Sequence, residues 1–244
     1  MEILNKDFKE IKDTMDPEVI NDFLIKLSEN PKRDYLTYID YLIHNLKKQI
    51  FNKVKINLIF LIGEIGKTTV LNDRYLTFLL KTYYISDRWI RNEIIQAIDK
   101  ISANSDIPDP VIDLISNAIN DDYSLIKINS FRVILNLKVL PNSMKKNLFL
   151  TLNSKDSDLE ALCTHILSKF LPDVNHLFNS LDDLENYKIL KPYSIRIILL
   201  LYFRSLLNLE SLRQKISNSN WEIEYKEIYF KEIDIYEKIL LKNL

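Results

Sequence analysis

The chain has 244 residues, 47% hydrophobic, 27% charged and 11% aromatic, with 33 Lys and Arg against 34 Asp and Glu. That composition excludes a disordered, collagenous or membrane-embedded chain, and a chain of this length buries a core without disulfide or metal staples. The 2 glycines and 7 prolines are too few for an all-β or Rossmann-type fold, whose strands need a turn about every ten residues, so an all-α fold is expected.

The first stretch, Glu2 to Thr14, has no apolar run of the kind a signal peptide carries. The single cysteine, Cys163, permits no internal disulfide. The longest aliphatic-aromatic run, Ile197 to Phe203, falls far short of the ~20 residues that span a bilayer. A cytoplasmic protein without membrane contact is expected. The near-zero net charge hides an uneven distribution, since residues 31–100 carry 12 basic and 7 acidic side chains and residues 101–190 carry 8 and 12. A surface wholly committed to nucleic acid would need a larger basic excess.

From residue 19 onward an apolar anchor recurs at Val19, Val54, Ile90, Ile126, Leu159 and Ile195, in steps of 35, 36, 36, 33 and 36 residues; Lys55, Arg91, Lys127 and Arg196 follow four of the anchors. The positions 4, 7, 8 and 11 residues beyond each anchor share one side of a helix. They are Leu58, Leu61, Ile62 and Ile65 in the second unit and Ile94, Ala97, Ile98 and Ile101 in the third. Ser130, Val133, Ile134 and Leu137 follow in the fourth, then Cys163, Ile166, Leu167 and Phe170, then Leu199, Tyr202, Phe203 and Leu206. The first unit, with Phe23, Lys26, Leu27 and Asn30, is degenerate. In all, 21 of these 24 positions are apolar, so the spacing predicts a buried helical stripe in every unit.

A breaker and a second periodic stretch follow each stripe. The breaks fall at Asn30-Pro31, around Gly66, at Ser105 to Pro110, at Pro141 and at Pro172; the helices resume over Asp34–Lys47, Asp73–Ile85, up to Asn120, Ser143–Leu152 and Val174–Leu184. Gly66 reads as a helix stop, and Asp109-Pro110 as a cap with a first-turn proline. Each unit is thus a helical hairpin. After the polar break Ser217–Asn220, Trp221 to Leu244 reads as one amphipathic helix with Tyr225, Tyr229, Ile233, Tyr236 and Leu240 on one side. Its pairs Glu222–Lys226, Glu227–Lys231 and Asp234–Lys238 are spaced for i,i+4 attraction. This helix either caps the last hairpin or recruits a partner.

Three segments, Asp87-Arg88-Trp89-Ile90-Arg91 with Ala97-Ile98, Asp16-Pro17-Glu18-Val19, and Leu61-Ile62-Gly63-Glu64-Ile65-Gly66, resemble the repeat pattern of the HEAT family. The resemblance covers about residues 15–210. It implies a right-handed α-solenoid of about six hairpins over residues 1–220, closed by the helix 221–244.

Chemistry-bearing motifs argue against catalysis. Gly63, Gly66, Lys67 and Thr68 lack the first glycine and the preceding strand of a phosphate-binding loop. His44, His165 and His176 have no metal-ligand spacing, and the His-Glu pairs of HEAT-type metal hydroxylases are absent from the sequence. Cys163 occupies a stripe position and is expected to be a buried apolar residue. The acidic runs Asp121-Asp122 and Asp182-Asp183-Glu185 read as helix caps. No catalytic, metal or cofactor residue is assigned.

The basic second quarter is interleaved with aromatics. Lys32, Arg33, Tyr38, Lys67, Arg74, Tyr75, Lys81 and Arg88 are the candidate contact residues of a groove along successive second helices, suited to a protein partner with an acidic or phosphorylated segment. A non-catalytic scaffold or adaptor is the expected function. The alternative is a nucleic-acid-binding protein similar to the HEAT-like alkylpurine DNA glycosylases, a resemblance that implies a basic groove bearing Trp and Asp; the acidic middle and only two tryptophans weigh against it. Tubulin-binding HEAT arrays use an aromatic anchor in their first loop, where this chain has Glu29-Asn30-Pro31-Lys32-Arg33.

Overall fold

The computed structural model describes residues 2–203 and 206–242, and Met1, Arg204, Ser205, Asn243 and Leu244 lie outside the described residues. The described chain is all-helical and has no strand: α1 (Glu2–Thr14), α2 (Pro17–Ser28), α3 (Leu36–Asn45), α4 (Lys48–Gly66), α5 (Asp73–Tyr83), α6 (Arg88–Ser102), α7 (Asp109–Ala118) and α8 (Ser124–Asn136) come first. Then follow α9 (Asn142–Leu152), α10 (Ser157–Phe170), α11 (Val174–Asp182), α12 (Pro192–Tyr202), α13 (Leu206–Asn218) and α14 (Ile223–Lys242). Short 3-10 turns at Arg33–Tyr35 and Asp183–Lys188 complete the order. No described helix is long and apolar enough to cross a membrane.

Local chemistry fixes many helix starts. Asp16, Asn72, Asp87, Asp156 and Asp173 each accept from a backbone N–H in the first turn of the helix that follows. Pro17 and Pro192 stand in first turns, where no amide donor is needed. At α7 the expectation of an Asp109 cap fails: Pro108 is the cap residue, and Asp109 is the first helical residue.

Contacts divide the chain into two compact units, 1–137 and 138–244. In the first, α4 lies against both α2 and α6, and α6 against α8, while α3, α5 and α7 flank this row. The stripe positions on α4, α6 and α8 are all buried. Lys26 in the degenerate first stripe is exposed and pairs with Asp7 of α1 at 2.7 Å. Phe8 of α1 stacks among Phe23, Tyr38 and Tyr41, with ring centroids 4.5–5.8 Å apart, which gives those tyrosines a packing role.

Helix α4 stops at Gly66 as expected, without left-handed backbone. No glycine has positive φ, and Gly66 is the buried last residue of α4. A Cβ there would lie 2.4 Å from Ile101 Cγ1, and one on Gly63 would lie 2.9 Å from Ala97 Cα. Both glycines are small so that α4 and α6 can approach closely, as a packed interior requires.

In the second unit α10 contacts α9 and α12, α12 contacts α14, and α13 contacts α11 and α14. Cys163 is fully buried, and its Sγ lies 3.7 Å from the carbonyl oxygen of Leu148. Helix α14 buries Tyr229, Ile233 and Tyr236 as its pattern predicts, together with Glu232, which it does not predict. The carboxylate of Glu232 accepts from Arg196 Nε and Nη2. Among the described residues the charges on and just before α14 pair outside the helix: Asp234 accepts from Arg213, Glu222 from Lys188, and Lys226 donates to the Ser217 and Ser219 carbonyls.

The acidic runs are partners of side chains more than caps. Asp121 pairs with Arg91 at 3.0 Å, Asp182 accepts the Trp221 indole N–H at 2.8 Å, and Asp183 lies 3.6 Å from Lys145 Nζ. Helix α11 stops at Asp182 because Leu184 and Glu185 take left-handed backbone, with φ of 51° and 55°.

Candidate functional site

The eight basic and aromatic residues singled out in the sequence fall at both ends of the helices. Lys32 and Arg33 precede α3, Lys67 follows α4 and Arg74 lies in the first turn of α5. Lys81 lies in the last turn of α5 and Arg88 begins α6, on either side of the α5–α6 connection. Seven residues of helix separate Arg74 from Lys81, ~10 Å along the axis.

Two of the aromatics are inward. Tyr75 is 1% exposed, and its hydroxyl donates to Asp40 Oδ1 at 2.9 Å. Arg74 donates to the other oxygen of Asp40 and to the Tyr75 hydroxyl, so its charge is committed within the fold. Tyr38 packs at 4.5 Å from Phe8 and 5.4 Å from Phe23. Lys32, Arg33, Lys67 and Lys81 are exposed and make no ion pair among the described residues.

Arg88 stands in a different setting. Its guanidinium lies 5.0 Å from the Trp89 ring and 5.5 Å from the Tyr123 ring, and the two rings meet edge-on at 5.7 Å. Asp87 caps α6 by accepting from the Trp89 and Ile90 amides at 2.9 and 3.1 Å, which fixes the turn that carries Arg88 and Trp89. Asp121 holds the facing segment: it accepts from the Tyr123 amide at 2.9 Å, pairs with Arg91, and takes a 3.4 Å hydrogen bond from the Tyr83 hydroxyl. Burial, reinforced by the Asp121 charge, pushes the Tyr83 hydroxyl up to about 12, so it stays a neutral donor at physiological pH.

The resulting surface is rigid underneath and apolar outside. Trp89 is 57% exposed, and the adjoining Tyr84 and Ile85 are 64% and 79% exposed. Tyr, Trp and Arg are the side chains that carry most binding energy in protein interfaces, and a stacked guanidinium is preorganised for such a contact. Tyr123 escapes sequence reading because it lies 34 residues from Trp89; the repeat length is the signal that would place them side by side.

Burial pushes the Cys163 thiol up, away from the thiolate form. His44 Nδ1 lies 2.7 Å from the Asp40 carbonyl, and His176 Nδ1 lies 2.9 Å from Asp173, whose carboxyl is held below its usual range by hydrogen bonds from His176. Among the described residues no three His, Cys, Asp or Glu side chains converge as a metal site.

Glu93 lacks the side-chain partner that asparagines at matching positions of the sequence period have. Asn57 Nδ2 donates to Asn21 Oδ1 at 2.8 Å, and Asn129 Nδ2 to Asn92 Oδ1 at 2.9 Å. Each bond joins the position two after one anchor to the position three after the next. Glu93 is the corresponding residue of α6, but the matching residue of α4 is Ile56, and Glu93 Oε1 is buried without a partner. Burial raises the Glu93 carboxyl, against the attraction of Lys100. A carboxyl raised on folding favours the folded state below its ordinary value of 4.5 and weakens it as pH climbs through the raised value. Glu93→Gln is therefore expected to stabilise the protein at neutral pH by about 0.5–1 kcal/mol, discounted for the solvent that still reaches the group, and to give no gain below pH 4. Urea melts at the two pH values check this.

No family model matches the chain, and no curated protein matches it. Among solved structures it is similar to an engineered protein crystallised by the Northeast Structural Genomics Consortium, at 14% identity and a TM-score of 0.45 over 96% of this chain and 97% of that one.

Proposed function

We propose that the chain is a non-catalytic scaffold or adaptor of the HEAT type, a cytoplasmic α-solenoid of about six hairpins that grips a protein partner. The row α2, α4, α6, α8 in the first unit and the sequence α10, α12, α14 in the second support repeating layers. Hydrogen bonds spanning 36 and 37 residues support the same register. The observation that carries the function is the exposed Arg88–Trp89–Tyr123 stack beside Tyr84 and Ile85. On this reading the contact region narrows from the whole stretch Lys32–Arg91 to the joint between α5 and α6, with acidic or phosphorylated segments as fitting ligands for its charge.

The double variant Arg88→Glu, Trp89→Ala tests this reading. Asp87 still caps α6, and both altered side chains project outward, so helicity and melting temperature are expected to hold. Capture of protein partners from an extract of the source cells, after nuclease treatment, is expected to fall at least about tenfold. Undiminished capture removes the surface from consideration, and capture abolished by nuclease points to the nucleic-acid alternative.

A further inference from the structure

Helix α14 is covered on one side only. It contacts α12 and α13 and buries Tyr229, Ile233 and Tyr236. On the side opposite these, Glu224, Ile228, Lys231, Ile235, Ile239 and Lys242 follow one another in steps of 4, 3, 4, 4 and 3 residues, a single stripe ~27 Å long. Ile228 and Ile239 are 36% and 47% exposed, Ile235 is half-buried, and the charged members are exposed, as are the flanking Glu227 and Lys238. The charges that turn toward the fold are used there: Glu222 pairs with Lys188, Glu232 with Arg196, and Asp234 and Glu237 with Arg213. Glu224, Glu227, Lys231, Lys238 and Lys242 make no ion pair among the described residues. These unpaired charges are ordered, with both acids in the first half of the helix and Lys238 and Lys242 in its last turns. The helix macrodipole favours Glu224 and Lys242 at the two ends, but it fades within a turn and asks for no exposed isoleucine between them.

We propose that this stripe pairs antiparallel with the same stripe of a second copy of the chain. With a two-fold axis at the level of Ile233, Glu224 faces the partner's Lys242, and Glu227 lies one residue, ~1.5 Å along the axis, from the level of the partner's Lys238. Ile228 lies one residue from the level of the partner's Ile239, and the stem of Lys231 covers the partner's Ile235 while its ammonium reaches water. The contact is isologous, so each ion pair and each isoleucine contact occurs twice. A parallel pairing sets Glu against Glu and Lys against Lys and is repelled. The charge order therefore selects both the partner and its direction. One helix face is a small interface, so the dimer is weak, with a Kd of about 10–100 μM. It is distinct from the Trp89 surface and stands without it.

The test is sedimentation equilibrium of the full chain at low salt, from about 5 to about 500 μM, a range that brackets the expected Kd. Lys238→Glu with Lys242→Glu, and separately Glu224→Lys with Glu227→Lys, are each expected to weaken self-association at least about tenfold, because the reversed end meets like charge. Mixing the two variants is expected to restore a dimer with one copy of each, at least as tight as that of the unaltered chain, a rescue that structural damage to either variant does not produce. Ile228→Ser with Ile239→Ser is expected to weaken the dimer at least about tenfold with melting temperature unchanged. Arg88→Glu with Trp89→Ala is expected to associate as the unaltered chain does. A chain that stays monomeric at the highest concentration overturns the proposal and leaves the stripe to a different protein. A dimer indifferent to both reversals, or reversals that mixing does not rescue, overturns it in favour of pairing through another surface.

Discussion

Trp221→Ala is expected to cost the second unit about 3–5 kcal/mol, the range for truncating a large buried aromatic. Trp221 is 4% exposed and lies parallel to Tyr187 at 4.4 Å and to Phe178 at 5.4 Å, with Tyr229 edge-on at 5.0 Å. Its indole N–H also donates to Asp182 Oδ1 at 2.8 Å. One side chain thereby ties α11, the 3-10 turn after it and α14 together. Trp221→Phe keeps a ring in the stack and loses the indole hydrogen bond, so a loss of only about 1–2 kcal/mol is expected. Denaturant melts that show less than 1 kcal/mol for the alanine variant contradict this packing.

The second large effect is at the α4–α6 contact. By helix propensity alone, replacing Gly63 with leucine stabilises α4 by nearly 1 kcal/mol. Packing dictates the opposite sign, because the first added carbon already lies 2.9 Å from Ala97 Cα and 3.0 Å from its Cβ. Backbone cannot swing aside as a side-chain tip can. Gly63→Leu is expected to destabilise the first unit by about 2–3 kcal/mol net, and Gly63→Ala by about 1. A rise in stability for either means that α4 and α6 do not meet face to face at this point.

The all-α fold and nearly every stripe residue were readable from the spacing of apolar side chains, because a buried helix face repeats whatever its surroundings. Helix starts were readable where Asp precedes the stripe, as at Asp16 and Asp87. Leu4, Phe8 and Ile11 also stand at helical spacing, so α1 carries the same signal in a shorter, more charged stretch. What the sequence hid are partnerships between helices distant in the chain. Nothing near Arg74 in the chain announces Asp40, 34 residues back, and nothing near Asp121 announces Arg91. The tyrosines of the basic quarter divide by depth, Tyr75 inward and Tyr84 outward, and depth depends on which neighbour lies across the groove. The stop at Gly66 was readable, since α4 ends there, but the second requirement at Gly63 and Gly66, room for the next helix, was not.

Site-specific photo-cross-linking tests the account's central claim most directly. With benzoylphenylalanine in place of Trp89, irradiation in an extract of the source cells is expected to yield discrete adducts that protease removes and nuclease leaves intact, and far fewer from the same probe at Lys191. Adducts that collapse with nuclease, or equal yields from the two positions, contradict a protein-binding surface at the Arg88–Trp89–Tyr123 joint.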